Sequence, residues 1–118
     1  MIQLLLHLFG DFITQNNWMA ENKAKMARDG WLACLAHCIC YSLPFIIIAG
    51  PTALFTIFIT HFLIDKFRLA RYVCQLKNWC FTETGYSEKT PAYLATILVM
   101  IVDNIMHITI NYLSLRYL

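Results

Sequence analysis

Charge is scarce in this chain: Asp, Glu, Lys and Arg make up only 14% of its 118 residues. That lies outside the usual balance of a soluble domain. The chain has no Gly-rich phosphate loop, no G-x-S-x-G elbow and no paired C-x-x-C motif, so none of the chemistries those motifs carry can be read from it. The five cysteines, Cys34, Cys38, Cys40, Cys74 and Cys80, are an odd number with three in one apolar segment, which argues against a disulfide framework. The N-terminus lacks a basic region before its apolar run and a small-residue cleavage site after it, so the first segment is expected to remain in the mature protein. No linker or low-complexity stretch divides the chain, and residues 1–118 read as one integral membrane domain.

What the chain has is hydrophobicity: 59% of its residues are apolar and mean hydropathy is +0.57. Four apolar segments stand out, Ile2 to Thr14, Trp31 to Ala49, Thr52 to Ile64 and Ala92 to Leu115. Only the second and fourth approach the ~20 residues that cross a bilayer unaided. The first and third reach that length by extending past Asp11 and Asp65, which neighbouring helices must then shelter. The expected fold is all-α, a four-helix transmembrane bundle with cytoplasmic loops. Eight of the nine Lys and Arg residues fall in or beside the connections after segments one and three, and the Gly50-Pro51 connection carries no charge. The positive-inside rule places both long connections in the cytoplasm and both termini outside it. A nucleic-acid partner is excluded on this pattern, because it would explain the basic residues but not the apolar segments. Asn16 caps a short helix that Gly30 is expected to end, and Asp29 is read as a loop residue. Pro44 kinks the second long helix, Pro51 and Pro91 open the third and fourth, and KFRLARYV carries the third onward into the cytoplasm. Trp79, Phe81 and Tyr86 in the last loop read as interfacial anchors.

All four histidines lie in these apolar segments, and three have an aspartate four residues away: His7 with Asp11, His61 with Asp65, and His107 with Asp103. That spacing puts both groups on one helix face. Ionisable groups in hydrocarbon are costly, so three such pairs call for a common explanation. In antiparallel neighbouring helices, residues whose numbers share a constant sum lie at one level. Asp65 with Asp103 and His61 with His107 have equal sums, and His37 comes level with either His7 or Asp11. One layer is therefore expected to hold His7, Asp11, His37, His61, Asp65, Asp103 and His107. Mixed nitrogen and oxygen ligation suits zinc, manganese or iron, and seven groups suffice for one or two ions. Gln15, Tyr41, Asn104 and Asn111, each beside or one turn from a member of the layer, are candidates for supporting hydrogen bonds. A soft-metal site at Cys34, His37 and Cys38 is the weaker reading, as is phosphate attraction by Lys66 and Arg68 against simple positive-inside anchoring.

The blocks HLFGDFITQNNWMAENKAK, HFLIDKFRLARY and VDNIMHITINYLSLRY resemble, in order, the three motif blocks of DUF3307, a family of small bacterial and phage membrane proteins without an established activity. More distantly, the pattern is similar to small inner-membrane proteins named as metal-dependent hydrolases. The leading expectation is hydrolysis of a phosphoester or another lipid-linked bond at the cytoplasmic face of the bacterial inner membrane. In that reading the histidines and one or two aspartates hold metal, and Asp65 or Asp103 takes the proton. The alternatives are conduction of protons or a divalent cation, and a membrane-embedded interaction protein such as a phage factor that binds a host membrane protein. A homodimer that completes the pocket is a further expected partner.

Overall fold

Apolar segments of this length satisfy their backbone N–H and C=O groups internally by becoming helical. The computed structural model, which describes residues 1–118, is helical throughout with no strand. Its helices are α1 (Ile2–Phe12), α2 (Asn17–Asn22), α3 (Arg28–Ser42), α4 (Pro51–Phe67), α5 (Leu69–Asn78) and α6 (Ala92–Tyr117). A 3-10 turn, Leu43–Ile47, prolongs α3. The helices α1, α3, α4 and α6 pack in a ring in that order, α6 closing back on α1, while α2 lies against α3 and α5 against α6 and α4.

Local signals explain most boundaries. The Asn16 side chain accepts a hydrogen bond from the Met19 N–H at 2.9 Å and caps α2. Pro44 lies in the 3-10 turn, where α3 tightens and ends. Pro51 opens α4 from its first position, where its missing N–H costs nothing. Two boundaries differ from the sequence reading. Gly30 does not end the short helix: α2 stops at Asn22, and both Asp29 and Gly30 belong to the first turn of α3. A Cβ at Gly30 would lie 1.9 Å from the Lys25 carbonyl oxygen, so the glycine is needed for close approach of the preceding loop. Nor does α4 run on through KFRLARYV. Arg68 takes the left-handed conformation at φ 51°, α4 ends, and α5 sets off in a new direction against α6.

The fold is all-helical as expected, and of the four expected transmembrane segments two have the length to span on their own. Two stretches, Arg28–Ile47 and Ala92–Tyr117, are long and apolar enough to cross a membrane. The 11 residues of α1 span about 16 Å and the 17 of α4 about 26 Å, short of the ~30 Å hydrocarbon thickness. Polar groups share the interior with apolar ones. Twelve hydrophobic residues are buried against ten polar or charged ones, while 36 large hydrophobics are exposed. The apolar part of the core is small, with Tyr41, Phe45 and Ile57 at its centre and Leu6, Ile48, Leu54 and Leu115 packed against them.

One contact sets the spacing of α1 and α3. A Cβ at Gly10 would fall 2.5 Å from Tyr41 Cδ2, whereas one at Gly50 would meet nothing within 4 Å. Gly10→Ala is therefore expected to destabilise the fold by about 1–3 kcal/mol through overpacking. Thermal unfolding in detergent should show a clear fall in midpoint for Gly10→Ala and little change for Gly50→Ala. Equal midpoints would show that α1 shifts freely.

Candidate functional site

Four helices deliver ionisable groups to one level inside the ring. Asp11 comes from α1, His37 from α3, His61 and Asp65 from successive turns of α4, and Asp103 and His107 from successive turns of α6. Between α1 and α3 the structure takes the register that levels Asp11 with His37, whose Nε2 lies 3.3 Å from Asp11 Oδ1, and sets His7 against Tyr41. Between α4 and α6 the His61 and His107 rings meet with centroids 4.1 Å apart, at the level read from their numbers. Asp65 reaches His107 rather than facing Asp103 alone, with Oδ1 3.1 Å from Nε2.

Three atoms form the tightest donor group. His37 Nε2 and His61 Nε2 are 3.0 Å apart, and Asp65 Oδ2 lies 3.2 and 3.5 Å from them. Donors about 2.0–2.1 Å from a tetrahedral ion stand about 3.3–3.4 Å from one another, so this triangle has the dimensions of one face of such a site. Asp11 Oδ1 lies 3.3 and 3.5 Å from the same two nitrogens and has no hydrogen-bond partner although buried. On the other side of Asp65, His107 Nε2 lies 3.4 Å from Asp103 Oδ2. The groupings Asp11–His61–His107, His37–His61–Asp65 and Asp65–Asp103–His107 each bring three donor atoms within 4.8 Å of one another. His37 Nδ1 and His61 Nδ1 have no partner, so each ring is hydrogen-bonded only through its Nε2.

His7 stands beside this group with both ring nitrogens engaged. Asn111 Nδ2 donates to Tyr41 Oη at 2.6 Å, the Tyr41 hydroxyl then donates to His7 Nδ1 at 2.8 Å, and His7 Nε2–H donates to Asn104 Oδ1 at 2.9 Å. Tyr41 stacks on His61 with centroids 3.6 Å apart, so this chain buttresses an imidazole of the donor triangle. Tyr41, Asn104 and Asn111 are thus joined through His7 in one network, buried except at Asn104. The Gln15 side chain bonds the Asp11 backbone carbonyl instead of its carboxylate. Cys34 and Cys38 are buried, the Cys34 thiol pointing to the Phe62 carbonyl at 3.9 Å, and neither joins a donor grouping.

Sequence reasoning missed Lys23. Its ammonium lies 2.5 Å from Asp65 Oδ2, at the rim of the donor triangle. Burial pushes the Lys23 pKa down, but the Asp65 carboxylate and its hydrogen bond outweigh that and hold it above the usual lysine value. The only sequence signal was a basic residue in a helix that returns over the bundle's end. Lys66 is neither the expected exposed positive-inside anchor nor a residue of an anion-attracting mouth. It is fully buried, donates to the backbone carbonyls of Lys23 (3.3 Å) and Lys25, and lies 4.4 Å over the Trp31 ring. Adjacent residues of α4 therefore grip the α2 segment twice. A cavity of about 640 Å³ between α2, α4, α5 and α6 opens onto Asp65 and Asp103.

A family model described as a protein of unknown function (DUF3307) matches residues 1–115, and the chain belongs to that family. No curated protein and no solved structure matches it.

The Tyr41 hydroxyl joins His7 to Asn111, so Tyr41→Phe leaves a buried acceptor and a buried donor without partners. The expected cost is about 1–3 kcal/mol, read as a lower unfolding midpoint. Tyr112→Phe, at an exposed position, is the control and should leave the midpoint unchanged; equal behaviour of the two would show that the network contributes nothing.

Proposed function

We propose that this member of the DUF3307 family is a metal-dependent hydrolase of the bacterial inner membrane, acting on a phosphoester or another lipid-linked bond at the cytoplasmic face. The observation that carries the reading is the donor triangle of His37 Nε2, His61 Nε2 and Asp65 Oδ2, with edges of 3.0, 3.2 and 3.5 Å. Two imidazoles and one carboxylate, with open positions left over, suit catalytic zinc or iron, and manganese fits the same mixed set. Asp11, from α1, faces the same two imidazole nitrogens. The apolar surface supports the membrane, since exposed leucines, isoleucines and phenylalanines surround an interior that polar groups share. In that setting α3 and α6 span the bilayer, and the shorter α1 and α4 are held between them. The basic residues at the α1–α3 and α4–α6 connections mark the cytoplasmic end, with both termini at the other.

When bound, the ion supplies Lewis acidity, which polarises the scissile group and brings the pKa of a coordinated water towards neutrality. The chain's own residues do the rest. His37, His61 and Asp65 hold the centre, and the Tyr41–His7 network keeps His61 in place through the stacked ring. Asp65 is enclosed by His37, His61, His107 and Lys23, so it is not free to accept a proton. Asp103 is. Its side chain is 27% exposed, it borders the cavity, and His107 orients one of its oxygens. Asp103 is accordingly the general base.

Conduction is the second reading, favoured by the buried Asn111 and Ser114, which continue the polar interior along α6 beyond His107. Against it, Tyr41, Phe45 and Ile57 close that end with an apolar plug. Flux of protons or metal ions into liposomes would support conduction.

Elemental analysis of detergent-purified protein without a polyhistidine tag tests the leading reading. The wild type should carry zinc, manganese or iron, and His61→Ala should lose it. Asp103→Asn should keep the metal while turnover of phosphoester substrates falls about 10²–10⁴-fold. No metal in the wild type after controlled reloading would overturn the proposal.

A further inference from the structure

We propose that Lys23, Arg68 and Arg71 form an anion-binding wall in the cavity beside the donor triangle, and that the group it takes is the phosphate of the ester substrate. This rests on the metal-dependent reading of the same site. All three cations line the cavity together with Asp65 and Asp103. Lys23 touches Asp65 Oδ2, so the cationic wall reaches the donor triangle itself.

The two arginines are poorly matched by the chain's own carboxylates. Arg68 has one acidic neighbour, Glu83 at 3.8 Å, and both side chains are largely exposed, so the pair holds it weakly. Arg71 donates through Nη2 to the Tyr72 hydroxyl at 3.0 Å, and its Nε–H is buried without an acceptor. A planar guanidinium with unused donors at a cavity wall fits the paired oxygens of a phosphate. The backbone makes this possible: the left-handed turn at Arg68 ends α4 and starts α5, which brings Arg68, Ala70 and Arg71 to the cavity. A non-glycine residue in that conformation is uncommon, and such strain gathers at functional positions.

Charge explains the dependence on metal. Without an ion, three cations face four carboxylates in the cavity lining, Glu21, Asp65, Glu83 and Asp103, a net charge of −1 that repels phosphate. A divalent ion held beside Asp65 would add two positive charges at this wall. Ile64, Val99 and Met100 form an apolar stretch of the wall, against which the organic part of the ester rests. A lipid headgroup and a soluble phosphomonoester share this phosphate chemistry.

Binding is measured by titration of the metal-loaded and metal-stripped full-length protein with two probes, inorganic phosphate and phosphatidic acid in phosphatidylcholine nanodiscs. The comparison is wild type against Arg68→Asn/Arg71→Gln, where asparagine tolerates the left-handed backbone, with Arg116→Gln as control. Metal-loaded wild type and Arg116→Gln should bind at least one probe. The double variant should retain its metal, which also reports folding, and bind about tenfold or more weakly. Binding of phosphatidic acid alone assigns the site to a lipid headgroup; binding of inorganic phosphate assigns it to a soluble ester. Unchanged affinity in the metal-bearing double variant overturns the anion wall, as does a metal-loaded wild type that binds neither probe; both leave the hydrolase standing. A wild type that takes up no metal overturns both readings.

Discussion

A buried carboxylate needs partners, and Asp65 has recruited them from three helices and a connecting segment. Its side chain is only 3% exposed, and its two oxygens face different neighbours: Oδ2 meets His37, His61 and Lys23, while Oδ1 meets His107. Isolated ionised carboxylates are not tolerated in apolar surroundings. Any arrangement of α3, α4 and α6 that separated those imidazoles would strand this charge, so the level at which the helices meet is set here. Gly10 then lets α1 approach closely enough to add Asp11 to the group.

Hydrophobic packing has correspondingly little control over the interior. The apolar core is a small cluster around Tyr41, Phe45 and Ile57, placed on one side of the polar layer, and Tyr41 belongs to both. One face of the Tyr41 ring stacks on His61, and its hydroxyl orders His7 and Asn111. A single residue thus couples the apolar plug to the orientation of a candidate metal ligand. Set in lipid, as proposed, the outward leucines and isoleucines would add nothing to the choice of register, because their burial would be the same in every register.

The helices and their shared polar layer were legible in the sequence because both depend on short-range spacing. An i, i+4 His–Asp pair declares its face without knowledge of the partner helix, and antiparallel order converts residue number into level. Thus Asp11, His37, His61, Asp65, Asp103 and His107 could be brought together from the sequence alone. The choice between His7 and Asp11 as the neighbour of His37 was not legible, since it turns on a one-turn shift set by the Gly10–Tyr41 contact. Lys23 and Lys66 were misplaced for a different reason. Lysines at a membrane end read as headgroup anchors, but Lys23 turns inward to a carboxylate 42 residues further along the chain, and Lys66 to the backbone carbonyls of Lys23 and Lys25. The break at Arg68 was hidden as well, because no glycine or proline marks it. The basic, apolar run on either side has the composition of a continuous helix.

The position of that break bears on what kind of site this is. A path for ions needs polar groups on both sides of the binding layer, whereas a pocket needs them on one. Arg68, Arg71, Lys23 and Asp103 gather around the cavity on the α2–α5 side, where the chain departs from straight helices. On the opposite side, which also holds the buried Asn111 and Ser114, α3 tightens into its 3-10 turn and the ring narrows onto Tyr41, Phe45 and Ile57, all without exposure. Irregular backbone within a largely apolar helical protein is costly unless it borders a cavity that uses it. Here the irregular connections and the unmatched cations lie together around the cavity that opens onto Asp65 and Asp103. That asymmetry favours a substrate that enters and leaves by one face, the arrangement a hydrolase requires and a conductor does not.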